Sequence, residues 1–263
     1  MIRKYGNEPF EAAVIHGGPG AFGSVACIAK ELSKTFGVIE PIQSKYTISE
    51  LLTELCEQIN AYTKNPITLI GHSWGAWLIV LFAKDYPDMV KQLVLVGSGP
   101  FKKEYVKRIM ERRLKNLSEK EGKLFIKALE QLNDKTFIEK DKALSVLGQL
   151  AKKADNYNII DQEDTEDCFD TDGEMYASLW TQADELRSSG ELFNSLKGLK
   201  CPVIVIQGEF DSHPVEGVVK PLREQKVTFE THILPKCGHS PFNEKFAKEQ
   251  FYKILCNTIQ RKL

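Results

Sequence analysis

Apolar and polar positions follow two alternating periods along this chain, and the alternation predicts a sheet of parallel strands covered by helices. Short continuous apolar runs, typical of strands buried on both faces, occur at 12–15, 67–70, 90–96 and 202–208. Segments with apolar residues at three- to four-residue spacing, typical of amphipathic helices, lie between them. The segment 226–234 alternates apolar and polar residues, which predicts one more strand. The pattern therefore favours an α/β protein with a mostly parallel sheet.

Capping residues locate the start of two helices. Thr47, with Glu50 three residues later, forms a capping box that predicts a helix start. Ser240 followed by Pro241 predicts the start of the last helix, because serine caps a helix and proline fits its first turn. The helix that follows Thr47 is expected to bury Leu51, Leu55, Ile59 and Tyr62. The last helix of the chain is expected to bury Phe242, Phe246, Phe251, Ile254 and Leu255.

The alternation of strands and helices stops between residue 100 and about residue 195. That segment is rich in Lys, Glu, Leu and Ala and contains no strand-like run, so we expect it to be helical. The chain is therefore predicted to form a discontinuous core, residues 1–100 and 196–263, interrupted by a helical insertion at 101–195. The expected helices span about 102–118, 120–132, 135–153 and 173–188.

Five residues between a strand and a helix carry the strongest chemical signal. Gly71-His72-Ser73-Trp74-Gly75 follows the strand at 67–70 and precedes an apolar helix at 76–83. In that setting Gly-x-Ser-x-Gly predicts a nucleophile elbow, a turn so tight that only glycine fits on either side of the serine. The turn exposes the serine hydroxyl above the N-terminus of the helix. Ser73 is therefore the candidate nucleophile.

A serine hydroxyl needs a base to take its proton and an acid to orient that base. In chains with this elbow, the acid and then the histidine follow the serine. Asp211 stands in the loop after the strand at 202–208, and His239 in the loop after the strand at 226–234. Glu209 is the rival for the acid, because it lies closer to the end of its strand.

The other histidines fit the role of the base less well. They are His16, His72, His213 and His232. The first two come too early in the chain, and the last lies in the middle of a predicted strand. His213 is only two residues from Asp211, which is too close for a partner across the edge of the sheet. His239 is therefore the predicted base.

Acyl transfer also requires N–H donors for the negative oxygen of the tetrahedral intermediate. One donor is expected to be the backbone N–H of Trp74, the residue after the nucleophile. The other is expected from the glycine-rich turn His16-Gly17-Gly18-Pro19-Gly20, which follows the strand at 12–15. Within this turn Gly18 is the candidate, to within one residue.

With these motifs the chain resembles the α/β-hydrolases over about residues 10–100 and 200–263. The turn His16–Gly20 is similar to the oxyanion loop of the proline iminopeptidase branch of that superfamily, and Gly208–Pro214 is similar to its acid loop. The elbow departs from that branch, in which a glycine commonly stands at the place of His72. A histidine there is usual in esterases.

The resemblance implies an α/β-hydrolase fold, with the helices of 101–195 forming a cap over the active site. Members of the superfamily usually have two strands before the oxyanion strand. Only about ten residues precede it here, so we expect the sheet to be shortened at its N-terminal edge.

Composition excludes several other classes of function. The chain has 35 basic and 36 acidic residues and a net charge of -1, so nothing indicates a nucleic-acid or anionic membrane partner. No run approaches the roughly 18 apolar residues of a membrane span. The first residues also lack the pattern of a signal peptide.

The cysteines indicate neither a metal site nor a disulfide framework. The six of them, at 27, 56, 168, 201, 237 and 256, show no metal-ligand spacing. We expect reduced thiols and a cytoplasmic protein. No metal or organic cofactor is implied, and the oligomeric state is left open.

Eight carboxylates crowd into the stretch from Asp161 to Glu174 of the predicted cap. Two interpretations stay open. The stretch is either a solvated loop or a site for a cationic substrate group such as a free amino terminus.

These residues predict a serine hydrolase that cleaves a small-molecule ester or amide through an acyl-enzyme. An aminopeptidase of the proline iminopeptidase kind is the alternative. Two further hypotheses are a lyase or C–C hydrolase using the same triad, and a ligand receptor that keeps the fold without turnover. A complete set of catalytic residues argues against the receptor, because binding alone does not need it.

Overall fold

The computed structural model describes residues 1–20, 22–160 and 171–261 of the 263-residue chain. The strands are β1 (Ile2–Tyr5), β2 (Phe10–Ile15), β3 (Gly37–Pro41), β4 (Ile67–His72), β5 (Val90–Val96), β6 (Val203–Gly208) and β7 (Phe229–Leu234). The helices are α1 (Ala26–Leu32), α2 (Ile48–Asn60), α3 (Trp74–Asp85), α4 (Val106–Asn116), α5 (Glu119–Asn133), α6 (Lys140–Asp155), α7 (Gly173–Ser189), α8 (Glu191–Asn194), α9 (Glu216–Glu224) and α10 (Lys248–Gln260).

The strands form one seven-stranded sheet in the order β1-β3-β2-β4-β5-β6-β7. Only β1 runs antiparallel to its neighbour, so the predicted mostly parallel sheet is confirmed. Alternate residues of β2 face opposite sides: Ala13 and Ile15 pack with α2, α3 and α9, whereas Ala12 and Val14 pack with α1 and α10. The sheet is thus covered by helices on both faces, as its apolar strands require.

At the N-terminal edge, the single short strand β1 precedes β2. The apolar pattern indicated neither β1 nor its neighbour β3. Two of the four residues of β1 are Arg3 and Lys4, and β3 contains Glu40. Glu40 is fully buried, and its carboxylate accepts a hydrogen bond from the Tyr5 hydroxyl at 2.8 Å. A buried, paired carboxylate interrupts the apolar run by which an internal strand is normally predicted.

The carboxyl ends of the parallel strands meet at one edge of the sheet. Ile15 of β2 pairs with Gly71 of β4, and His72 of β4 pairs with Val96 of β5. The register continues to the ends of β6 and β7. The loops that follow these strands therefore open side by side, and all of the predicted site residues lie in them.

In its described residues, the segment between β5 and β6 is mainly helical, as expected. Helices α4 to α7 lie close to the four predicted spans, and the short α8 was not predicted. Helices α4, α5 and α6 share a small apolar cluster that includes Phe125 and Leu144. Met175, Leu179 and Ala183 of α7 belong instead to the main core. The division into a core at 1–100 and 196–263 and a cap at 101–195 stays a prediction.

The start of the last helix was predicted incorrectly. Pro241–Asn243 forms a single 3-10 turn, and α10 begins only at Lys248. Between them, the buried Glu244 carboxylate binds backbone N–H groups, which holds the chain in a turn. Phe246, expected on the buried face, is 53% exposed for the same reason.

Within the described ranges, no helix is both long enough and apolar enough to cross a lipid bilayer. Among the cysteines in those ranges, Cys27, Cys56, Cys201, Cys237 and Cys256 are free thiols. Of the acidic stretch, residues 161–170 lie outside the described residues, so the two interpretations given above stay open there.

Candidate active site

Ser73 stands at the turn between β4 and α3 in a strained backbone conformation. Its φ is 52° and its ψ is -113°, a region that non-glycine residues rarely adopt. A Cβ on Gly71 would lie 2.3 Å from the carbonyl oxygen of Gly75, and one on Gly75 would lie 2.5 Å from that of Ile15. Both flanking positions therefore admit only glycine, as the motif predicts. The Ser73 hydroxyl sits at the N-terminus of a buried helix.

Asp211 and His239 are brought together although they are 28 positions apart. Asp211 follows β6, and His239 lies between β7 and α10. The distance from Nδ1 of His239 to Oδ2 of Asp211 is 3.0 Å. Burial alone would lower the pKa of His239, but the adjacent Asp211 carboxylate outweighs it and raises the pKa above its usual value.

The Asp211 carboxylate is buried and accepts four hydrogen bonds. Oδ2 accepts from His239 and, at 2.7 Å, from Nε2 of Gln207. Oδ1 accepts from the backbone N–H of His213 at 2.9 Å and from its Nδ1 at 2.8 Å. Burial alone would raise the pKa of Asp211, but the two imidazoles bring it well below its usual value. The carboxylate is therefore ionised.

The argument that excluded His213 as a partner of Asp211 was wrong. It considered only partners across the sheet, whereas each carboxylate oxygen here binds one imidazole. The His213 ring also stacks on the His239 ring, with centroids 4.4 Å apart and an interplanar angle of 28°. The Asp211 carboxylate thus accepts hydrogen bonds from two histidines.

Arg113 of α4 is a second residue that the sequence did not reveal. Its Nη2 lies 3.4 Å from Nε2 of His213. Its Nε and Nη2 also donate to both oxygens of the buried Asp155, at 2.6 to 3.0 Å. The neighbouring Arg112 donates to the Asp211 carbonyl oxygen at 3.0 Å. The helix α4 therefore contacts the acid loop directly.

The backbone of His239 is held from both sides. Its N–H donates to the carbonyl oxygen of Asp155, the last residue of α6, at 2.9 Å. Its carbonyl oxygen accepts from Nε2 of His72 at 3.0 Å. His72, the variable position of the elbow, is buried, which lowers its pKa to about 3 and keeps it neutral. His72 of the elbow and Asp155 at the end of α6 therefore hold the loop that carries His239 in place.

Glu209, the rival acid, points elsewhere. Its side chain is exposed and makes one long contact, 3.5 Å to the backbone N–H of Lys236. It makes no contact with either histidine of the site in the described part of the chain. The geometry places Asp211, and not Glu209, beside His239.

The predicted oxyanion donors, Gly18 and Trp74, line the same cavity as Ser73 and His239. Gly18 has a positive φ of 59°, a conformation suited to glycine. Trp74 is the first residue of α3, so its backbone N–H has no partner four residues back in the helix. Its indole N–H donates to Gln43 at 3.1 Å, which positions the ring.

The cavity has a volume of about 760 Å³. Its wall is mostly apolar and aromatic, with Trp77, Trp180 and Tyr176 stacked in a row. Three described acids line it: the carboxylates of Asp155 and Asp184 are paired with arginines, and Glu185 is exposed. The two described acids at the end of the acidic stretch face elsewhere: Asp172 caps α7 and accepts from Tyr46, and Glu174 pairs with Lys140.

One group of described side chains has the spacing of a metal site: Asp211, His213 and His239, whose ligand atoms lie within 4.8 Å of one another. An ionised carboxylate can only accept hydrogen bonds, so both Nδ1 atoms that contact it carry protons. A protonated nitrogen cannot bind a metal. The three residues are therefore better described as a hydrogen-bonded set.

Comparison with known proteins agrees with this architecture. A model of the alpha/beta hydrolase fold family matches residues 14–246. The chain belongs to this family. Curated relatives of this α/β-hydrolase cover only part of it. Ethanol acetyltransferase 1 of Cyberlindnera fabianii is 26% identical over 72 residues, which are 27% of this chain and 22% of the relative. The chain thus matches about a fifth of the length of its curated relatives.

Solved structures share the fold over nearly the whole α/β-hydrolase chain. Proline iminopeptidase from Mycobacterium smegmatis superimposes with a TM-score of 0.65 and 17% identity, covering 98% of this chain and 93% of that one. Est816, described as an N-acyl homoserine lactone degrading enzyme, has a TM-score of 0.65 and 15% identity, with coverages of 98% and 95%. At these identities the likeness concerns the fold alone.

Proposed function

We propose that this α/β-hydrolase is a serine hydrolase that cleaves an ester or amide of a small molecule by acyl transfer. Ser73 is the nucleophile, His239 the general base and Asp211 the acid that orients it. The observation that carries the proposal is the 3.0 Å hydrogen bond between His239 and the ionised Asp211, in the cavity that the strained Ser73 also lines.

The proposed reaction begins when Ser73 Oγ attacks the substrate carbonyl carbon and its proton passes to Nε2 of His239. Nδ1 of His239 already donates to Asp211, so Nε2 is the unprotonated nitrogen that accepts. The imidazolium that forms is stabilised by the buried Asp211 charge. It then returns the proton to the leaving alcohol or amine, and water hydrolyses the acyl-enzyme.

The developing negative charge falls on the substrate oxygen in the tetrahedral intermediate. We infer that it is held by the backbone N–H groups of Trp74 and Gly18. Preorganised donors of this kind are worth about 3–4 kcal/mol each in the transition state. The position of Trp74 at the start of α3 supports its role, because the helix dipole adds to the attraction.

The cavity favours an ester or amide with an apolar acyl or leaving group over a free amino terminus. Aromatic and aliphatic side chains dominate its wall. An ammonium group would need a buried carboxylate without a partner. Both oxygens of the buried Asp155 are bound by Arg113, Asp184 is half-exposed and paired with Arg187, and Glu185 is exposed. The charge of the described wall therefore supports the esterase or amidase proposal over the aminopeptidase alternative.

The partial likeness to ethanol acetyltransferases raises the question of the acyl acceptor. The same acyl-enzyme can be resolved by water or by an alcohol, with His239 as base in either case. Product analysis with a p-nitrophenyl acyl ester in the presence of ethanol distinguishes the two. An ethyl ester as the main product would redefine the protein as an acyltransferase.

The proposal is tested by covalent labelling. A fluorophosphonate probe should attach to Ser73, and Ser73→Ala should abolish both labelling and hydrolysis of p-nitrophenyl acyl esters. Loss of the nucleophile costs on the order of 10⁶ in kcat. Peptide mass spectrometry identifies the modified residue.

The matched control is Ser240→Ala, at the other serine that lines the cavity, and this variant should still be labelled at Ser73. Folded protein that is unlabelled at Ser73 would refute the mechanism. Aminoacyl-naphthylamides cleaved faster than acyl esters would favour the aminopeptidase instead.

A further inference from the structure

His213 makes more contacts in the site than a structural residue of a loop needs. It donates both its backbone N–H and its Nδ1–H to Oδ1 of Asp211. The other oxygen of that carboxylate is the one that accepts from His239. Two donors on Oδ1 fix the plane of the carboxylate, and this directs Oδ2 toward His239.

The ring of His213 also limits the motion of the catalytic imidazole. It lies against the face of His239 at 4.4 Å, while His72 packs on His239 with centroids 4.8 Å apart. A histidine that must pass a proton from serine to leaving group has to keep its orientation during both steps. The neighbouring rings restrict its rotation.

Two imidazoles on one carboxylate raise the question of which one takes the proton. They differ in what faces Nε2. Both rings line the cavity with Ser73, but Nε2 of His213 faces the Arg113 guanidinium at 3.4 Å, whereas Nε2 of His239 has no hydrogen-bonded cation among the described residues. A cation at that distance opposes a second positive charge. Arg113 itself is anchored by the buried Asp155.

We propose that His213 is a positioning residue: it donates to Oδ1 of Asp211 and packs against the His239 ring, and so holds both groups in the catalytic orientation. The proposal rests on the proposed function and names a part of that mechanism beyond the three catalytic residues. His213 keeps its Nδ1 proton throughout, and the serine proton moves only to His239.

Charges that face the two rings agree with this assignment. Asp211 lies between them, Arg113 comes from α4, Asp155 from α6, and the rings face each other. Burial, with help from the His239 ring and Arg113, lowers the pKa of His213, while Asp211 raises that of His239. The two adjacent imidazoles are therefore shifted in opposite directions, and His239 takes up a proton more readily than His213.

Two substitutions separate the functions of the His213 side chain. His213→Phe keeps a ring against His239 but removes the donor to Asp211. His213→Asn removes the ring but retains an N–H donor close to the place of Nδ1. His232→Gln, at a partly exposed histidine of β7, is the matched control. All four proteins are compared with p-nitrophenyl butyrate from pH 5 to 9.

We expect His213→Phe to lower kcat about 10- to 100-fold, with KM changed less than about twofold, since positioning and not binding is lost. The acid limb of its kcat/KM profile should move to higher pH, because the carboxylate that lost one donor attracts the His239 proton more strongly. His213→Asn should recover most of kcat and return the acid limb toward that of the wild type. His232→Gln should leave kcat and the acid limb of the kcat/KM profile unchanged.

Proton NMR gives a readout that does not depend on turnover. The wild type should show two downfield imidazole N–H protons bound to a carboxylate, one of which disappears in His213→Phe. A ¹⁵N titration of the wild type should show that His213 takes up its proton at lower pH than His239, which also tests the proposal if His213→Phe does not fold.

Three results would overturn the inference: a His213→Phe profile equal to that of the wild type, a His213→Asn variant no better than His213→Phe, or a His213 that takes up its proton at higher pH than His239. Failure of the proposed function is separate. It would appear as a wild type that is neither labelled at Ser73 nor active on esters, with the NMR signals of His213 unaffected.

Discussion

Gly97, the residue directly after β5, shows how closely the backbone is packed around His239, the proposed general base. Its φ is +54°, and a Cβ there would lie 2.6 Å from the carbonyl oxygen of His239. Gly97→Ala must therefore displace the histidine loop as well as strain its own backbone. We expect kcat to fall at least about tenfold, because small displacements of a catalytic group are costly.

The control for this change is Gly198→Ala. Gly198 also has a positive φ, +78°, but a Cβ there would meet nothing within 4 Å. Both variants should lose about 1–2 kcal/mol of stability from the left-handed conformation, and only Gly97→Ala should lose activity. Steady-state kinetics and urea unfolding measure the two effects. An equal kcat in both variants would contradict the packing argument.

The assignment of the acid is tested by exchanging carboxylates for amides. Asp211→Asn should reduce kcat about 10³- to 10⁴-fold, since His239 loses both its orientation and its counter-charge. Glu209→Gln, at the exposed carboxylate two residues earlier, should change kcat by less than about tenfold. The two are compared by steady-state kinetics at pH 8, and reversed effects would transfer the role to Glu209.

At the scale of single residues, the motif and the chain order were enough to predict the tight turn at Ser73 and the contact between Asp211 and His239, whose catalytic roles stay predictions. The motif could not predict the contact between Arg113 and His213. These residues are 100 positions apart, and the packing of α4 on the acid loop brings them together. His213 was excluded by spacing, although a carboxylate has two oxygens and can bind a near and a distant imidazole together.

Among the elements, those with uninterrupted apolar runs or capping signals were the predictable ones. The strand β4, the buried helix α3 and the Thr47-capped α2 follow their patterns. The strands β1 and β3 did not, since charged residues interrupt them. The start of α10 was missed because the chain turns between Pro241 and Lys248, where the Glu244 carboxylate binds distant backbone N–H groups. The helix itself begins without a side-chain cap.

Glu244 joins two elements that form the wall of the site. Its buried carboxylate accepts from the backbone N–H groups of Tyr157 and Asn158 at 2.6 Å, just beyond α6, and from Gly238 at 2.8 Å, next to His239. Glu244→Gln replaces one acceptor oxygen by an NH₂ group that faces N–H donors. We expect it to lower the free energy of unfolding by about 2–4 kcal/mol and to reduce kcat.

Urea unfolding and ester hydrolysis measure these two effects. Glu249→Gln, at an exposed glutamate in the first turn of α10, is the matched control and should change stability by less than about 1 kcal/mol. If the two variants are equally stable, Glu244 does not hold the two segments together.

For the whole molecule, buried histidines such as His16 and His72 make stability depend on pH. Burial lowers the pKa of His16 to about 4 and that of His72 to about 3. In the unfolded chain both would titrate near 6.5. As pH falls below about 6.5, these histidines become protonated in the unfolded state but stay neutral in the folded state. The free energy of unfolding therefore decreases. Each of the two histidines lowers the free energy of unfolding by about 3 kcal/mol when the pH reaches about 4.5.

Urea unfolding followed by tryptophan fluorescence at pH 7.5, 6.5, 5.5 and 4.5 measures this dependence. His16→Asn should make the loss between pH 6.5 and 4.5 smaller, because one titrating group is removed. His232→Gln, at a partly exposed histidine, should leave the slope as in the wild type. A free energy of unfolding that is constant over this range would show that the buried histidines are accessible to protons.

The hydrogen bond from the His239 amide to the carbonyl oxygen of Asp155 has a consequence for engineering. A chimera that receives its 101–195 segment from another α/β-hydrolase must place a backbone carbonyl at the same point to keep this anchor, and it loses the Arg113 contact to His213. The helices between β5 and β6 are therefore not an exchangeable module that only selects substrates. To change specificity, it is better to replace side chains of the cavity wall, such as Leu144 or Trp180. These changes leave the backbone contact between Asp155 and His239 intact.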